Sequence, residues 1–205
     1  MANPGIIIQA RLTSDRFPNK MLCPLYGKPV IQWTVEACLK SGLPFVVAIP
    51  DKRTDWGLAE WFKLYDPTIE VFSGHPDDLI SRFKHVNNVM DFDPIIRVCG
   101  DSPMMKVSDI HDAMYQFNKY GTYQRVNLVE IFSQKELDYA ANNDPFMARR
   151  EDCVNILNQT VDYPEDIDRI EGEWLLDNSQ DNNMELNKNR INNDLSDYQS
   201  GETGL

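Results

Sequence analysis

Positive charge is scarce in this chain. Twenty Lys and Arg stand against 32 Asp and Glu, a formal net charge of -12 over 205 residues. Such a surface repels phosphate backbones and anionic lipid, which excludes general binding of nucleic acid or membrane as the main role. It leaves room for a local basic pocket that takes a small phosphorylated ligand. Cysteine is sparse too. Cys23, Cys38, Cys99 and Cys153 form no CxxC pair and no Cys/His zinc spacing. Cys38 and Cys99 lie in apolar runs and read as small core residues, a usage that fits a reducing compartment. The three histidines, His75, His85 and His111, form no catalytic arrangement. No apolar run approaches the ~20 residues of a membrane helix, and no N-terminal stretch has the make-up of a signal peptide. The expectation is a cytoplasmic protein with neither membrane nor nucleic-acid partners. What is present is core material: 42% hydrophobic and 10% aromatic residues, enough for one α/β domain with a tail.

Hydrophobic patterning sets the coarse organisation. Gly5 to Ala10 is a short β-branched run suited to a buried parallel strand. A basic loop follows from Arg11 to Lys20. Pro29 to Leu39 reads as a largely buried helix, with Pro29 at its start and Gly42 just past its end. Phe45 to Ile49 is a second strand, stopped by Pro50, and Leu58 to Leu64 a helix with Trp61 and Phe62 inside. Ile69 to Phe72 is a third strand, closed by Ser73-Gly74. Pro76 to Val89 is helical, with Leu79, Ile80, Phe83 and Val86 on one face. Ile95 to Cys99 is a fourth strand, and Ser108 to Tyr120 a helix with Ser108 as N-cap. Four alternations of strand and helix predict an α/β fold with a mostly parallel, doubly wound sheet. Beyond it, Val126 to Phe132 reads as a strand, Gln134 to Ala141 and Pro164 to Ile170 as helices. From residue 172 onward Asn, Asp, Gln, Ser and Glu dominate. We therefore expect a domain over residues 1–171 and an acidic, disordered tail over 172–205.

Arg11, Arg16, Lys20 and Lys28 fall within 18 residues of a chain that has only 20 such cations. They follow the first strand, beyond the carboxyl end of which a doubly wound sheet binds its ligands. A loop of this kind offers backbone N–H groups and long cations to phosphate, or is simply a solvated surface loop. The order of residues decides between these. Gln9-Ala10-Arg11-Leu12-Thr13-Ser14-Asp15-Arg16-Phe17-Pro18-Asn19-Lys20, continued by Leu22, Leu25, Gly27-Lys28-Pro29 and Ile31, resembles the opening motif of sugar cytidylyltransferases. That family includes CMP-KDO synthetase and acylneuraminate cytidylyltransferase. The Gln-Ala-Arg opening is most similar to its spore coat polysaccharide branch. The resemblance implies a nucleotide-diphospho-sugar transferase (GT-A-like) fold. It also implies that Arg11, Ser14, Arg16 and Lys20 hold a triphosphate, and that Gln9 and Ala10 frame the nucleotide.

Two acidic segments extend the match. Arg97-Val98-Cys99-Gly100-Asp101-Ser102-Pro103 resembles the family strand end whose Asp binds magnesium, which assigns Asp101 that role. Taken alone, Asp101 also reads as a turn residue before Pro103, and Arg97 as structural. Val161-Asp162-Tyr163-Pro164-Glu165-Asp166 resembles the motif that supplies the second metal ligand, here Asp162, with Tyr163 in place of the usual Thr. Asp162 and Glu165 also have the spacing of a helix capping box. The stretch from Phe72 to Phe83 resembles a segment near the base and ribose, although Asp77 or Asp78 reads equally as a helix cap and Arg82 as an exposed helix residue. Asn127 to Ser133 resembles a segment on the sugar side, where Glu130 is retained and the usual Asp is absent; Glu130 alone reads as an outward strand residue. Asp101 and Asp162 are only 61 positions apart, fewer than is usual in the family, so the sugar side and the homodimer surface are shortened. The implied reaction is Mg²⁺-dependent transfer of a cytidylyl group from CTP to a sugar or sugar acid for glycan precursor synthesis, with Arg11, Lys20 and Asp101 as its catalytic residues. A GT-A glycosyltransferase and a nucleotide-binding protein without catalysis are the alternatives.

Overall fold

The structure, a computed structural model, describes residues 3–143 and 160–173. The chain divides into two units at residues 166/167; all the named elements below belong to the first, and residues 167–173 of the second are helical. The expected tail lies almost wholly outside the described residues. In chain order the first unit contains β1 (Gly5–Gln9), a small ribbon of β2 (Pro24–Leu25) and β3 (Lys28–Pro29), α1 (Val30–Ser41), β4 (Phe45–Pro50) and α2 (Trp56–Tyr65). Then come β5 (Val71–Gly74), α3 (Leu79–Met90), β6 (Ile95–Cys99), α4 (Val107–Tyr120), β7 (Gln124–Val126), β8 (Val129–Phe132) and α5 (Gln134–Asn143).

Six strands form the main sheet in the order β5-β4-β1-β6-β8-β7. The first four are parallel, and β8 and β7 add an antiparallel edge. The chain winds outward from β1 to β5, then returns to the other side of β1 with β6. The order of winding therefore reverses between β1 and β6, the switch point beside which sheets of this kind hold their ligands. Continuous apolar strands need cover on both faces. On one face Ile6, Ile8, Ile96 and Val98 pack with Ile31 of α1 and Phe62 of α2. On the other Ile7, Val46 and Ile95 pack with Phe83 of α3 and Leu137 of α5. The mostly parallel α/β sheet expected from the pattern is present.

Several boundaries moved for identifiable reasons. Ser73 and Gly74 belong to β5 rather than ending it, because the ladder to β4 continues to Pro50↔Gly74; tertiary pairing overrides glycine's weak strand preference. α3 starts at Leu79, not Pro76, since the Asp78 carboxylate accepts from the Ser81 N–H at 3.0 Å and caps it. Ser108 does not cap α4; that helix begins at Val107, and the Asp109 carboxylate accepts from the Lys106 N–H at 2.9 Å. Val126 to Phe132 is a hairpin, not one strand. Asn127 turns it at a φ of 49°, a left-handed conformation that Asn tolerates, and its amide donates to Asp109. Arg82, read as an exposed helix residue, is buried and donates to the carbonyls of His75 and Pro76. The helix expected over Pro164 to Ile170 occupies residues 165–173.

Candidate active site

The loop after β1 is closed at its base. The Leu12 carbonyl accepts from the Asn19 N–H at 2.9 Å, the Leu12 N–H donates to Asp55 Oδ1 at 2.6 Å, and the Leu12 side chain is buried. Ser14 Oγ turns inward to accept from the Phe17 N–H. Arg11 and Arg16 are exposed, and Arg11 makes no hydrogen bond or ion pair among the described residues. A cleft of about 360 Å³ opens here, lined by Thr13, Ser14, Asp15 and Asn19 of the loop and by Thr54. Lys28 belongs elsewhere: it pairs with Glu36 at 2.8 Å and sits 4.4 Å from the centre of the Trp33 ring.

The end of β6 lies against this loop. Gly100 donates to the Gln9 carbonyl at 2.8 Å, and its own carbonyl accepts from the buried Thr34 hydroxyl at 3.2 Å. A Cβ at Gly100 would stand 3.1 Å from Ile31 Cδ1, 3.2 Å from Ala10 Cβ and 3.3 Å from the Gln9 oxygen. A side chain here would press on β1 and α1 and require them to give by a few tenths of an ångström, and this close approach sets where Asp101 emerges. The Asp101 carbonyl in turn accepts from the Val161 N–H at 2.9 Å, which brings Asp162 alongside.

These segments meet at one ammonium. Lys20 Nζ, on a side chain only 6% exposed, lies 2.5 Å from Asp101 Oδ2, 3.2 Å from Asp162 Oδ1 and 2.7 Å from the Val161 carbonyl. Arg16 reaches the same Asp162 oxygen at 2.5 Å and lies 5.2 Å from the centre of the Tyr163 ring, the residue that departs from the family's Thr. Asp162 therefore faces the cations rather than capping the helix. The expected capping box with Glu165 is replaced by Asp166, whose carboxylate accepts from the N–H groups of Asp162 and Tyr163, each at 2.8 Å. Two carboxylates converging on one positive charge are a hard oxygen donor set. No group of three or more His, Cys, Asp or Glu side chains that could hold a metal ion occurs among the described residues. The site fits an ion such as Mg²⁺, which takes one or two carboxylates and completes its shell with phosphate oxygens and water.

A second polar row crosses the sheet beside this junction. Gln9 Oε1 accepts from Arg97 Nε at 3.1 Å, Arg97 Nη1 lies 2.6 Å from Glu130 Oε2, and Arg125 approaches the other Glu130 oxygen at 3.8 Å. Arg97 and Glu130 are cross-strand partners on β6 and β8, so neither is a free surface residue. Cys99 sits between the two groups and accepts from Gln9 Nε2 at 3.1 Å. Burial pushes its thiol up to about 11, and that of Cys38 to about 12, so neither is a ready nucleophile. In the loop before α3, His75 Nδ1 accepts from the Asp78 N–H at 2.9 Å.

The structure thus brings together Arg16, Lys20, Asp101 and Asp162; Arg11 and Ser14 lie on the same loop without touching that cluster, Gln9 and Ala10 stand at the end of β1, and Glu130 is in the adjoining row. Sequence reasoning missed Asp55 and Thr34. Nothing local marks either; Asp55 is one acid among many, and only the packing of β4 beside β1 shows its partner.

A family model described as Cytidylyltransferase matches residues 5–169. The chain belongs to the cytidylyltransferase family. Among curated relatives, a 3-deoxy-manno-octulosonate cytidylyltransferase of Geobacter metallireducens is 34% identical over 110 residues, 53% of this chain and 42% of the relative. Its counterpart in Ruthia magnifica is 34% identical over 136 residues, 64% of this chain and 54% of the relative. The chain spans about half the length of the curated relatives it matches. Two solved structures share the fold: a cytidylyltransferase from Leptospira borgpetersenii, with a TM-score of 0.64, 23% identity and coverage of 76% of this chain and 71% of that one; and a CMP:2-keto-3-deoxy-manno-octonic acid synthetase complexed with CTP, with a TM-score of 0.64, 16% identity and coverage of 85% and 99%. Among the described residues, no helix is long and apolar enough to cross a membrane.

Proposed function

We propose that this protein transfers a cytidylyl group from CTP to a sugar or sugar acid and releases pyrophosphate, as a step in glycan precursor synthesis. The observation that carries the reading is the meeting of Lys20, Arg16, Asp101 and Asp162 at the sheet's switch point, under a clamped basic loop. Arg11, Arg16 and Lys20 neutralise the β- and γ-phosphates, Ser14 adds a hydroxyl, and Gln9 and Ala10 frame the nucleotide. Asp101 and Asp162 would hold Mg²⁺, whose contribution is to neutralise charge at the α-phosphate. With triphosphate oxygens to bind, Lys20 and Arg16 exchange carboxylate partners for phosphate partners and leave the two aspartates to the cation. An acceptor hydroxyl attacks the α-phosphorus, the bond to the pyrophosphate oxygen breaks, and the hydroxyl proton passes to solvent. Positioning and charge neutralisation supply the acceleration. The Gln9–Arg97–Glu130 row is the side on which we expect the acceptor.

The names of the curated relatives, each a 3-deoxy-manno-octulosonate cytidylyltransferase, support CTP and an acidic sugar as the first substrates to try. Asp101-Ser102-Pro103 lacks the Asp-x-Asp pair typical of GT-A glycosyltransferases. The test is pyrophosphate release with Mg²⁺, each of four nucleoside triphosphates, and a panel of acidic and neutral sugars that includes spore coat type acceptors. Release that requires both CTP and a sugar establishes the reaction. Tight CTP binding with no release across the panel would favour a nucleotide-binding protein instead.

A further inference from the structure

The carboxylate of Asp55 is fully enclosed, 0% exposed, at the end of the short turn between β4 and α2. A charged group removed from water needs strong compensation. Asp55 finds it in the loop after β1. Oδ1 accepts from the Leu12 N–H at 2.6 Å, short enough for a charge-assisted bond, and from the Thr13 N–H at 3.4 Å. Oδ2 lies 3.5 Å from the Thr13 hydroxyl and 3.2 Å from that of Thr54. Arg82 is within electrostatic reach of both Asp55 and Arg11, yet its own hydrogen bonds go to the His75 and Pro76 carbonyls.

This arrangement sorts the donors of the loop. Leu12 and Thr13 point their N–H groups down to Asp55, Phe17 and Asn19 point theirs back into the loop, and those of Ser14, Asp15 and Arg16 have no partner among the described residues. Three successive N–H groups between two clamped ends are thus left available to an anion. A carboxylate does the clamping without hydrogen-bonding either arginine, so Arg11 stays available.

We propose that Asp55 is a positioning residue for triphosphate binding: it fixes the base of the Arg11–Lys20 loop so that the N–H groups of Ser14, Asp15 and Arg16, together with Arg11, are presented to the phosphates. It touches no substrate and acts through the loop. The inference rests on the cytidylyl-transfer reading above. The experiment is calorimetric titration of the full chain and of the variants Asp55→Ala, Asp55→Asn and Asn87→Ala with CTP and with CMP, beside thermal melts. Asn87, buried near the end of α3, clamps the loop that follows by bonding both backbone groups of Phe92, and serves as the structural control. Asp55→Ala is expected to weaken CTP binding by about tenfold, the loss that goes with one charge-assisted hydrogen bond, and to leave CMP affinity within about twofold. Asp55→Asn, which keeps an acceptor without the charge, falls between. CTP affinity unchanged in both Asp55 variants, CTP and CMP affinities falling together, or an equal loss in Asn87→Ala would each overturn the inference. Absence of CTP binding by the unaltered chain would instead sink the transfer reading, and this inference with it.

Discussion

Lys20 shows how one side chain can define a site. Its ammonium has three protons and three oxygens within 3.2 Å, two of them on carboxylates. Removing it takes the cation from a largely buried Asp101 and leaves Asp162 to Arg16 alone. Lys20→Ala should therefore lose about 3 kcal/mol of stability in urea melts without divalent ions. Added Mg²⁺ should raise its melting temperature more than that of the unaltered protein; equal shifts would argue against a shared cation position. Arg11, which has no hydrogen bond or ion pair among the described residues, should behave in the opposite way. Arg11→Ala should leave stability within ~0.5 kcal/mol but reduce kcat/KM for CTP by about 100-fold. Asp101→Asn should fold and lose metal-dependent turnover, and near-normal turnover would remove Asp101 from the mechanism. That Arg16, Lys20, Asp101 and Asp162 belong together was legible in the sequence because their order along the chain is distinctive, whereas Lys28 of the same basic run pairs with Glu36 instead. Asp55 and Thr34 were not, since each acts on a backbone group 43 or 66 positions away.

Elements are held at the site by local devices with measurable signatures. At the start of α5, Ser133 and Glu136 form a reciprocal capping box: the Glu136 carboxylate accepts from the Ser133 N–H at 2.8 Å, and Ser133 Oγ accepts from the Glu136 N–H at 3.3 Å. The same carboxylate accepts from Thr122 Oγ1 and the Tyr123 N–H, each at 2.7 Å, which ties α5 to the start of the β7–β8 hairpin. Burial alone would raise the Glu136 pKa, but donors from Thr122, Ser133 and Tyr123 outweigh it and hold it below the ordinary 4.5. Because the folded-state value is the lower one, this contribution is complete above pH 4.5 and is lost as pH falls through the folded-state pKa. Glu136→Gln should cost about 1 kcal/mol near neutrality, with the difference from the unaltered protein shrinking in acid. A gap that stays constant in melts down to pH 3 would show that the carboxylate charge is not the cause. At the end of β6, Gly100→Ala should cost about 1–3 kcal/mol through overpacking, and lower turnover further by shifting Asp101. Turnover that tracks stability alone would separate β6 packing from the site.

The main unit is one sheet between two apolar layers, so its stability should be shared. Phe62 and Phe83 are both fully buried, on opposite faces. Phe62→Ala and Phe83→Ala should each remove about 3–5 kcal/mol. Each should shift a single cooperative transition rather than split it, as followed by circular dichroism and tryptophan fluorescence in the same urea titration. A split transition in either variant would mean that the two faces fold independently.

Local pattern determined the alternation of strands and helices, the apolar faces and the order of the basic and acidic motifs, because periodicity and capping act over a few residues. It placed β1, α1 and β6 within two residues of their observed bounds. It could not separate the β7–β8 hairpin from one strand, since a single Asn in a left-handed turn leaves no apolar gap. It also read Asp162 as a possible helix cap, and only the approach of residue 161 to the end of β6 turned that carboxylate toward Lys20. The sequence carries the charges and their order. Which charge meets which is decided by strand order, because the β1–β6 adjacency places groups remote along the chain within hydrogen-bonding distance of one another.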